Sequence, residues 1–332
     1  MPNCAISAAT ILISSGDMEI VHRFTKASNR RSASAAFCIF FVLQLGSVGG
    51  QVRGVYPLGM SATGSGVTPG PGFSYVNQLL IYSRDRQVDA NGDVIATGSN
   101  SVIMDMNTIA WVSKRKILHG ARLSASATIP FANNALESDV KGHISGGGGV
   151  ADSFYQPFIL GWQTERVAVK TAYGFLAPTG RHDFTKNDNV GSGYWTHVVS
   201  SGQTIYLTES KRTSVSAFQM YEWHTTQEDT GIHPGQNLDL DYSVMQSLGS
   251  KRGIGLQVGM VGYGQWQTTA KTGPAVTPTQ QKERYKVNAI GVASNFNVPA
   301  WRLNLGFKYF KEFACRSTFQ GYSIQFSGAY KF

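Results

Sequence analysis

From Phe73 to the end of the chain, apolar and polar side chains alternate with a period of two, in segments rich in β-branched and aromatic residues that stop at turn-forming residues. Such alternation predicts strands with one apolar and one polar face. Twelve segments are predicted, at 73–84, 104–114, 119–131, 155–164, 166–177, 203–210, 212–223, 237–247, 253–267, 284–294, 300–313 and 319–332. No amphipathic helix stands out. In the last segment Tyr322, Ile324, Phe326, Tyr330 and Phe332 share one face, with Ser323, Gln325, Ser327 and Lys331 on the other. Leu238, Leu240, Tyr242 and Val244 oppose Asp239, Asp241 and Ser243 in the same way.

The spacers alternate in length. Long ones cover 85–103, 132–154, 178–202, 224–236 and 268–283, and tight links fall between them near Arg115, Glu165, Lys211, Gly249 and Asn297. A membrane barrel has this rhythm, with short turns at one end and long loops at the other. Several segments are about twice the five or six residues usual in a sandwich strand, and long enough to cross a bilayer obliquely. The expected fold is all-β: an antiparallel transmembrane β-barrel of about 12 strands over residues 73–332, with both termini periplasmic. A secreted soluble β-protein is the competing reading.

Only one run is continuously apolar. Ala33 to Gly49 follows Arg23, Lys26, Arg30 and Arg31 and ends in small residues, the layout of a secretory signal. Residues 1–50 are therefore expected to be a signal peptide, with Met18 as the true start. Cleavage would remove Cys4 and Cys38 and leave Cys315 without an intrachain partner. Residues 51–72 are rich in Gly, Pro, Ser and Thr and carry no periodicity. They are expected to form a periplasmic lead-in or a plug.

The mean hydropathy of −0.14 over 332 residues argues against a bundle of apolar helices, each of which needs roughly 20 consecutive apolar residues. It fits two faces that cancel. The net charge of +9 falls to +7 once residues 1–50 are removed, and no basic cluster interleaved with stacking aromatics suggests nucleic acid as a partner.

Catalytic signatures are missing: the chain has no G-x-S-x-G, no G-x-x-x-x-G-K-[ST] and no H-E-x-x-H. Two S-x-x-K matches, Ser113 with Lys116 and Ser138 with Lys141, lack their partner motifs. Gly146 to Gly149 precedes no helix and reads as a mobile extracellular loop rather than a phosphate cradle. His119, His143, His182, His197, His224 and His233 show no ligand spacing, and Ser216 and His224 share a face but are too far apart for a dyad. No catalytic residue, metal or cofactor is expected.

Charges on a lipid face cost about 2–4 kcal/mol at mid-depth. Arg122, Lys170, Glu222, Asp239, Asp241, Arg302, Lys308 and Glu312 are accordingly expected to line the lumen, cross-pairing or bordering a passage. Phe154, Tyr155, Tyr194 and Trp195, placed in or beside the long spacers, are candidates for capturing solutes at the outer mouth. Phe326, Tyr330 and Phe332 are candidates for the signal read during barrel assembly.

Several landmarks occur in order along the chain: TPGPGFSYVNQLLIYSRDRQVDANGDVI (Thr68 to Ile95), ARLSASATIPFA (Ala121 to Ala132), QPFILGW (Gln156 to Trp162), AYGFLAPTGR (Ala172 to Arg181), QTIYLT before MYEWHT (Gln203 to Thr225), KYFKEFACRSTFQG (Lys308 to Gly321) and the terminal Phe332. Together they resemble the bacterial family named for its association with the meta-pathway of phenol degradation. The resemblance implies an outer-membrane barrel that helps small hydrophobic or aromatic compounds across the envelope by passive diffusion, and it supplies no catalytic residues. The expected partners are outer-membrane lipid, the barrel-assembly machinery and small hydrophobic molecules, with the barrel acting as a monomer. Two other functions remain open at this point: a closed structural or partner-binding barrel, and a lipid-modifying barrel enzyme.

Overall fold

The computed structural model describes residues 53–138, 142–186, 188–251 and 253–332. The expected signal peptide and the Met18 start lie outside the described residues. Thirteen strands form one antiparallel sheet. They are β1 (Gly72–Val88), β2 (Val94–Ile117), β3 (Ala121–Ser138), β4 (Gly142–Val150), β5 (Ser153–Gln163), β6 (Val167–Ala177), β7 (Thr196–Tyr206), β8 (Thr213–His224), β9 (Asn237–Lys251), β10 (Ile254–Gln267), β11 (Lys286–Val298), β12 (Leu303–Arg316) and β13 (Thr318–Lys331). Each pairs with its neighbours, and β13 returns to β1 in a register running from Ser74 opposite Lys331 to Val88 opposite Thr318. The sheet is closed.

β4 and β5 make one stave. β4 pairs with the upper part of β3, Phe131 facing Val150, while β5 pairs with the lower part, Thr128 facing Phe154. The barrel therefore has twelve staves built from thirteen strands. One end carries the tight connections 118–120, 164–166, 207–212 and 299–302; the other carries 178–195, 225–236 and 268–285, the last with a five-residue helix, α1 (Pro278–Lys282). The chain enters β1 and leaves β13 at the tight-turn end.

Two of the expected long spacers are corrected. Most of 85–103 is strand, because β1 continues to Val88 and β2 begins at Val94, and 132–154 holds the rest of β3 and all of β4. The glycines of Gly146 to Gly149 are thus strand rather than loop. Gly146 passes so close to β3 that a Cβ on it would lie 1.9 Å from the Asn134 carbonyl oxygen, a site where only glycine packs. β7 also starts earlier than the expected 203, at Thr196. Val198 and Val199 occupy both faces and Ser200 and Ser201 follow them, so no period of two is visible there.

Outside, the surface is an apolar band. Leu238, Tyr242, Val244, Met260, Ile290, Val292 and Phe326 are exposed, and Trp301, Trp223 and Tyr330 mark strand ends. Inside, Glu222, Asp239, Asp241, Ser243, Ser323 and Gln325 are buried on the opposite face of the same sheet. This inversion of the soluble pattern is what a bilayer imposes on a barrel, and the chain is a membrane-spanning barrel of the outer-membrane type. The interior is less polar than the alternation suggested, since Leu80, Tyr82, Met106, Phe218, Met220, Tyr263 and Phe310 also point inward and form three apolar clusters.

One patch of the outer face is polar. Tyr75 donates its hydroxyl to Asn107 Oδ1 at 2.5 Å, and Asn77 and Asn107 donate to the two oxygens of Asp105 at 2.5 and 3.1 Å. Phe73 and Trp111 lie on the tight-turn side of this patch and Ile81 and Ile103 on the other, in register across β1 and β2, so Asp105 sits within the apolar band. Its charge is solvated by two amides rather than water. Asp105→Asn keeps an acceptor and removes the charge; we expect it to stabilise the barrel in lipid vesicles by about 1 kcal/mol, read as a shift of the urea midpoint by tryptophan fluorescence. A lowered midpoint would contradict this assignment.

Candidate channel lumen

Inside the wall runs the chain's own lead-in. From Arg53 to Gly66 it has no regular structure, so its backbone groups must find partners elsewhere, and the wall supplies them. Glu222 of β8, fully buried, accepts the amides of Val55 and Tyr56 at 3.1 and 2.8 Å and an amide hydrogen of Asn237 at 3.0 Å. Asp241 of β9 accepts the Tyr56 hydroxyl at 2.6 Å and the amides of Gly59 and Ser61 at 2.9 and 3.0 Å. Glu312 of β12 holds Arg53 in a two-pronged ion pair at 2.7 and 3.1 Å. Arg53 also donates to Thr318 Oγ1 and to the Phe319 carbonyl.

The donors of the wall serve the carbonyls of the lead-in. Lys308 Nζ reaches the Gly59 and Met60 carbonyls, each at 2.8 Å, Gln325 donates to the Leu58 carbonyl at 2.7 Å, and Ser243 to that of Ala62 at 2.6 Å. Gly59 adopts φ +83°, and a Cβ there would sit 2.6 Å from the Phe310 ring, so both its conformation and its position require glycine. The apolar side chains of the segment join the interior clusters: Leu58 and Ala62 pack with Met245, Val261 and Phe310, Met60 with Leu80, Tyr82 and Met106, and Tyr56 with Phe218.

Five of the eight expected lumen charges are thus deep inside. Glu222, Asp241, Lys308 and Glu312 contact the lead-in, Glu222 also lying 3.3 Å from His224 on its own strand, while Asp239 accepts from Gln265 of β10 at 2.7 Å. Lys170 is half-buried on the inward side of β6 and has no ion pair among the described residues. Arg122 lies at the tight-turn mouth, where its guanidinium caps the carbonyls of Ser113 and Lys114. Arg302 is a correction: it is exposed, in left-handed conformation at φ 51°, and ends the 3-10 turn Pro299–Trp301 between β11 and β12. It does not line the lumen, because that turn interrupts the alternation from which its direction was inferred.

The four capture candidates separate as well. Phe154 and Tyr155 belong to β5, not to a loop; Phe154 points inward against the Val198, Phe218 and Met220 cluster. Tyr155 packs tilted against Phe175 at 5.4 Å, which in turn meets Trp195 at 6.0 Å, a row of aromatics along neighbouring strand ends. Tyr194 is buried edge-on to His224 at 5.2 Å. A group so enclosed cannot meet an arriving solute. Phe326 packs on Phe307 at 5.4 Å, and Tyr330 meets Phe332 edge-on at 5.5 Å, all facing outward.

Over the other mouth the long loops are stitched together. Gln227 donates to the Ser192 carbonyl at 2.7 Å, His182 lies 3.3 Å from Asp229, and His233 bridges to Thr272 through backbone bonds. Asp152, between β4 and β5, accepts from the amides of Gly180 and Ser192 and the Ser192 hydroxyl; burial raises its pKa, with the Ser192 bonds opposing that shift. Asp183, exposed in the same loop, is lowered to about 2 by the hydroxyl and amide of Thr185. Among the described residues no three His, Cys, Asp or Glu side chains are grouped to hold a metal.

Residues 84–327 match the family described as "Putative MetA-pathway of phenol degradation". The chain belongs to this family. Its fold is similar to that of the COG4313 outer membrane channel from Pseudomonas putida F1, at a TM-score of 0.67 and 14% identity over 80% of this chain and 97% of the other. The beta domain of the Bordetella autotransporter BrkA aligns at a TM-score of 0.49 and 10% identity, over 79% of this chain and 100% of the other. No curated protein matches the sequence. Membership in the family adds no residue to the site; the lead-in and its anchors stand on the geometry alone. The residues the alternation could not reveal are Arg53 and Tyr56, set in a segment without period, together with Tyr263 of β10 and Tyr285 just before β11, which donate inward to Glu312 and Asn237.

Removing one member of a buried ion pair costs about 3–5 kcal/mol, whereas replacing both by apolar groups of like size costs far less. Glu312→Leu should therefore lower the unfolding free energy of the barrel by roughly 3 kcal/mol, and adding Arg53→Met to it should recover much of the loss. Urea titrations of the four-member cycle in vesicles measure the coupling, and additive losses would show that the pair is not coupled.

Proposed function

We propose that this chain is an outer-membrane channel for the passive uptake of small hydrophobic or aromatic molecules, with both termini periplasmic and residues 51–72 acting as a plug. The observation that carries the reading is a twelve-stave barrel whose interior is occupied by a segment of its own chain rather than by wall side chains alone. Barrels of about eight strands are filled by their side chains and those of 16–18 leave aqueous channels; twelve staves leave room for a plug. The family's link to phenol degradation supports an aromatic cargo. The similar fold of the Pseudomonas putida outer membrane channel supports a channel. Phe326, Tyr330 and Phe332, outward-facing on the closing strand, would be the residues read by the barrel-assembly machinery.

Energetics limit how such a plug works. Each hydrogen bond to a charged group contributes about 1.5–3 kcal/mol, and the lead-in makes several to Glu222, Asp241, Glu312 and Lys308. Spontaneous ejection of the whole segment is therefore too costly for turnover. Passage would use a local shift, with the charged anchors left in place. The same strength favours one alternative, a permanently closed barrel that serves as an envelope scaffold.

Replacing residues 53–67 by a Gly/Ser stretch of equal length should raise single-channel conductance in planar bilayers and speed entry of a labelled aromatic into vesicles. Wild-type vesicles should already take up the aromatic faster than empty ones. If wild type equals empty vesicles while the replaced form conducts, the closed scaffold is the correct reading. Lys170→Glu, on the inward side of β6 away from the anchors, should move the reversal potential toward cation selectivity, and an unchanged potential would remove Lys170 from the path.

A further inference from the structure

Folding gathers basic residues that are scattered along the sequence. Lys114, Arg115 and Lys116 end β2, Lys211 and Arg212 lie between β7 and β8, and Arg302 between β11 and β12; all are exposed at the tight-turn end. Arg166, between β5 and β6, and Lys331, at the end of β13, complete the circuit. Opposing them among the described residues are Glu165 and Glu209, the latter 2.9 Å from Arg166. None of the six exposed cations in the first group has a carboxylate within ion-pair distance among the described residues. The long-loop end differs: its cations alternate with acids, and Arg86, Arg181 and Lys186 are paired with Asp85, Asp188 and Asp183.

We infer that the tight-turn end is a collar that binds the phosphate head groups of anionic phospholipid in the leaflet it faces. The inference rests on the reading of the chain as a membrane-spanning barrel. Two features of the collar select lipid over an acidic protein. First, it is annular: the cations sit in turns spaced around the whole circumference, whereas a protein partner would need them on one side. Second, large apolar side chains lie beside the cations in the same turns. Leu118 is 59% exposed, Leu207 57%, Trp301 69% and the terminal Phe332 62%. Such pairing places apolar groups among acyl chains and the adjoining Lys or Arg at head-group depth, where arginine can grip a phosphate with two parallel bonds and lysine acts as a point charge. Each basic residue near an anionic lipid surface favours binding measurably, and salt screens the effect.

The test uses the full barrel inserted into phosphatidylcholine bilayers containing a minor share of phosphatidylglycerol, followed by native mass spectrometry of the lipids that remain bound. For wild type, phosphatidylglycerol should exceed its share of the bilayer by about fivefold per head group held, and the excess should fall as salt is raised. Changing Lys114, Arg115, Lys116, Lys211, Arg212 and Arg302 to Gln should abolish the excess, while Lys282→Gln with Arg284→Gln and Arg316→Gln at the long-loop end should leave it. Bound lipid in the same ratio as the bilayer, or equal loss in both variants, would overturn the collar. Heat-modifiable migration reports insertion separately: a wild-type chain that does not insert into this bilayer would overturn the membrane-spanning reading itself. Should the collar variant fail to insert, the wild-type preference and its salt dependence decide.

Discussion

Hydrocarbon offers no hydrogen-bond partner, so a sheet that crosses a membrane has to close on itself. Here closure is the pairing of β1 with β13, and much of the rest follows from it. Twelve staves set a circumference, and the circumference sets an interior wider than inward side chains fill. An empty apolar interior would forfeit packing, and a water-filled one would be a porin. The chain adopts a third solution by turning the segment before β1 back inside. Because that segment is tethered directly to the first strand, it is present at high effective concentration and costs little to bring in.

Placing irregular chain in a barrel creates a polar debt on both sides. The lead-in arrives with unpaired amides and carbonyls, and the wall holds carboxylates and a lysine that burial would penalise if they stood alone. Each settles the other. Glu222 and Asp241 take backbone amides, Lys308 and Gln325 give to backbone carbonyls, and Arg53 meets Glu312. The inward charges and the Gly-rich lead-in are therefore one device, and the glycines are what let its backbone come within reach of the wall.

The alternation was strong enough in the sequence to show β8 to β13 nearly residue by residue, most clearly in β9 and β13, which separate Leu, Tyr or Phe from Asp, Ser or Gln. It was weak where both faces carry small or similar residues, as at Val198 to Ser201 and along Gly146 to Gly149, and there the strands were misplaced or missed. Direction was legible for Glu222, Asp239, Asp241, Lys308 and Glu312, since a charge in the middle of a strand has only two faces to choose from and one is lipid. It was not legible for Arg302, which a turn releases from the period, nor for Asp105, which faces lipid because Asn77 and Asn107 solvate it. The docking of the lead-in was out of reach for a further reason. Nothing in a segment without period says which wall residues it will meet; that depends on register around the whole barrel.

The anchors are not evenly placed. Glu222, Asp241, Lys308, Glu312 and Gln325 belong to β8, β9, β12 and β13, so the charged attachments of the lead-in lie on one half of the wall. The opposite half, on β3 and β5, presents the small hydroxyl groups of Ser124, Ser126 and Thr128 with Gln156, and offers the lead-in no charged hold among the described residues. The lead-in is therefore fixed by charge along one half of the wall and without charge on the other. On the uncharged half the lead-in is held by the apolar contacts of Met60 with Leu80, Tyr82 and Met106 and by one neutral bond from the Gly66 amide to Thr204 of β7. The carboxylates are what attach the segment, because a hydrogen bond to a charged group is stronger than the neutral bonds and dispersion contacts that hold the rest of it.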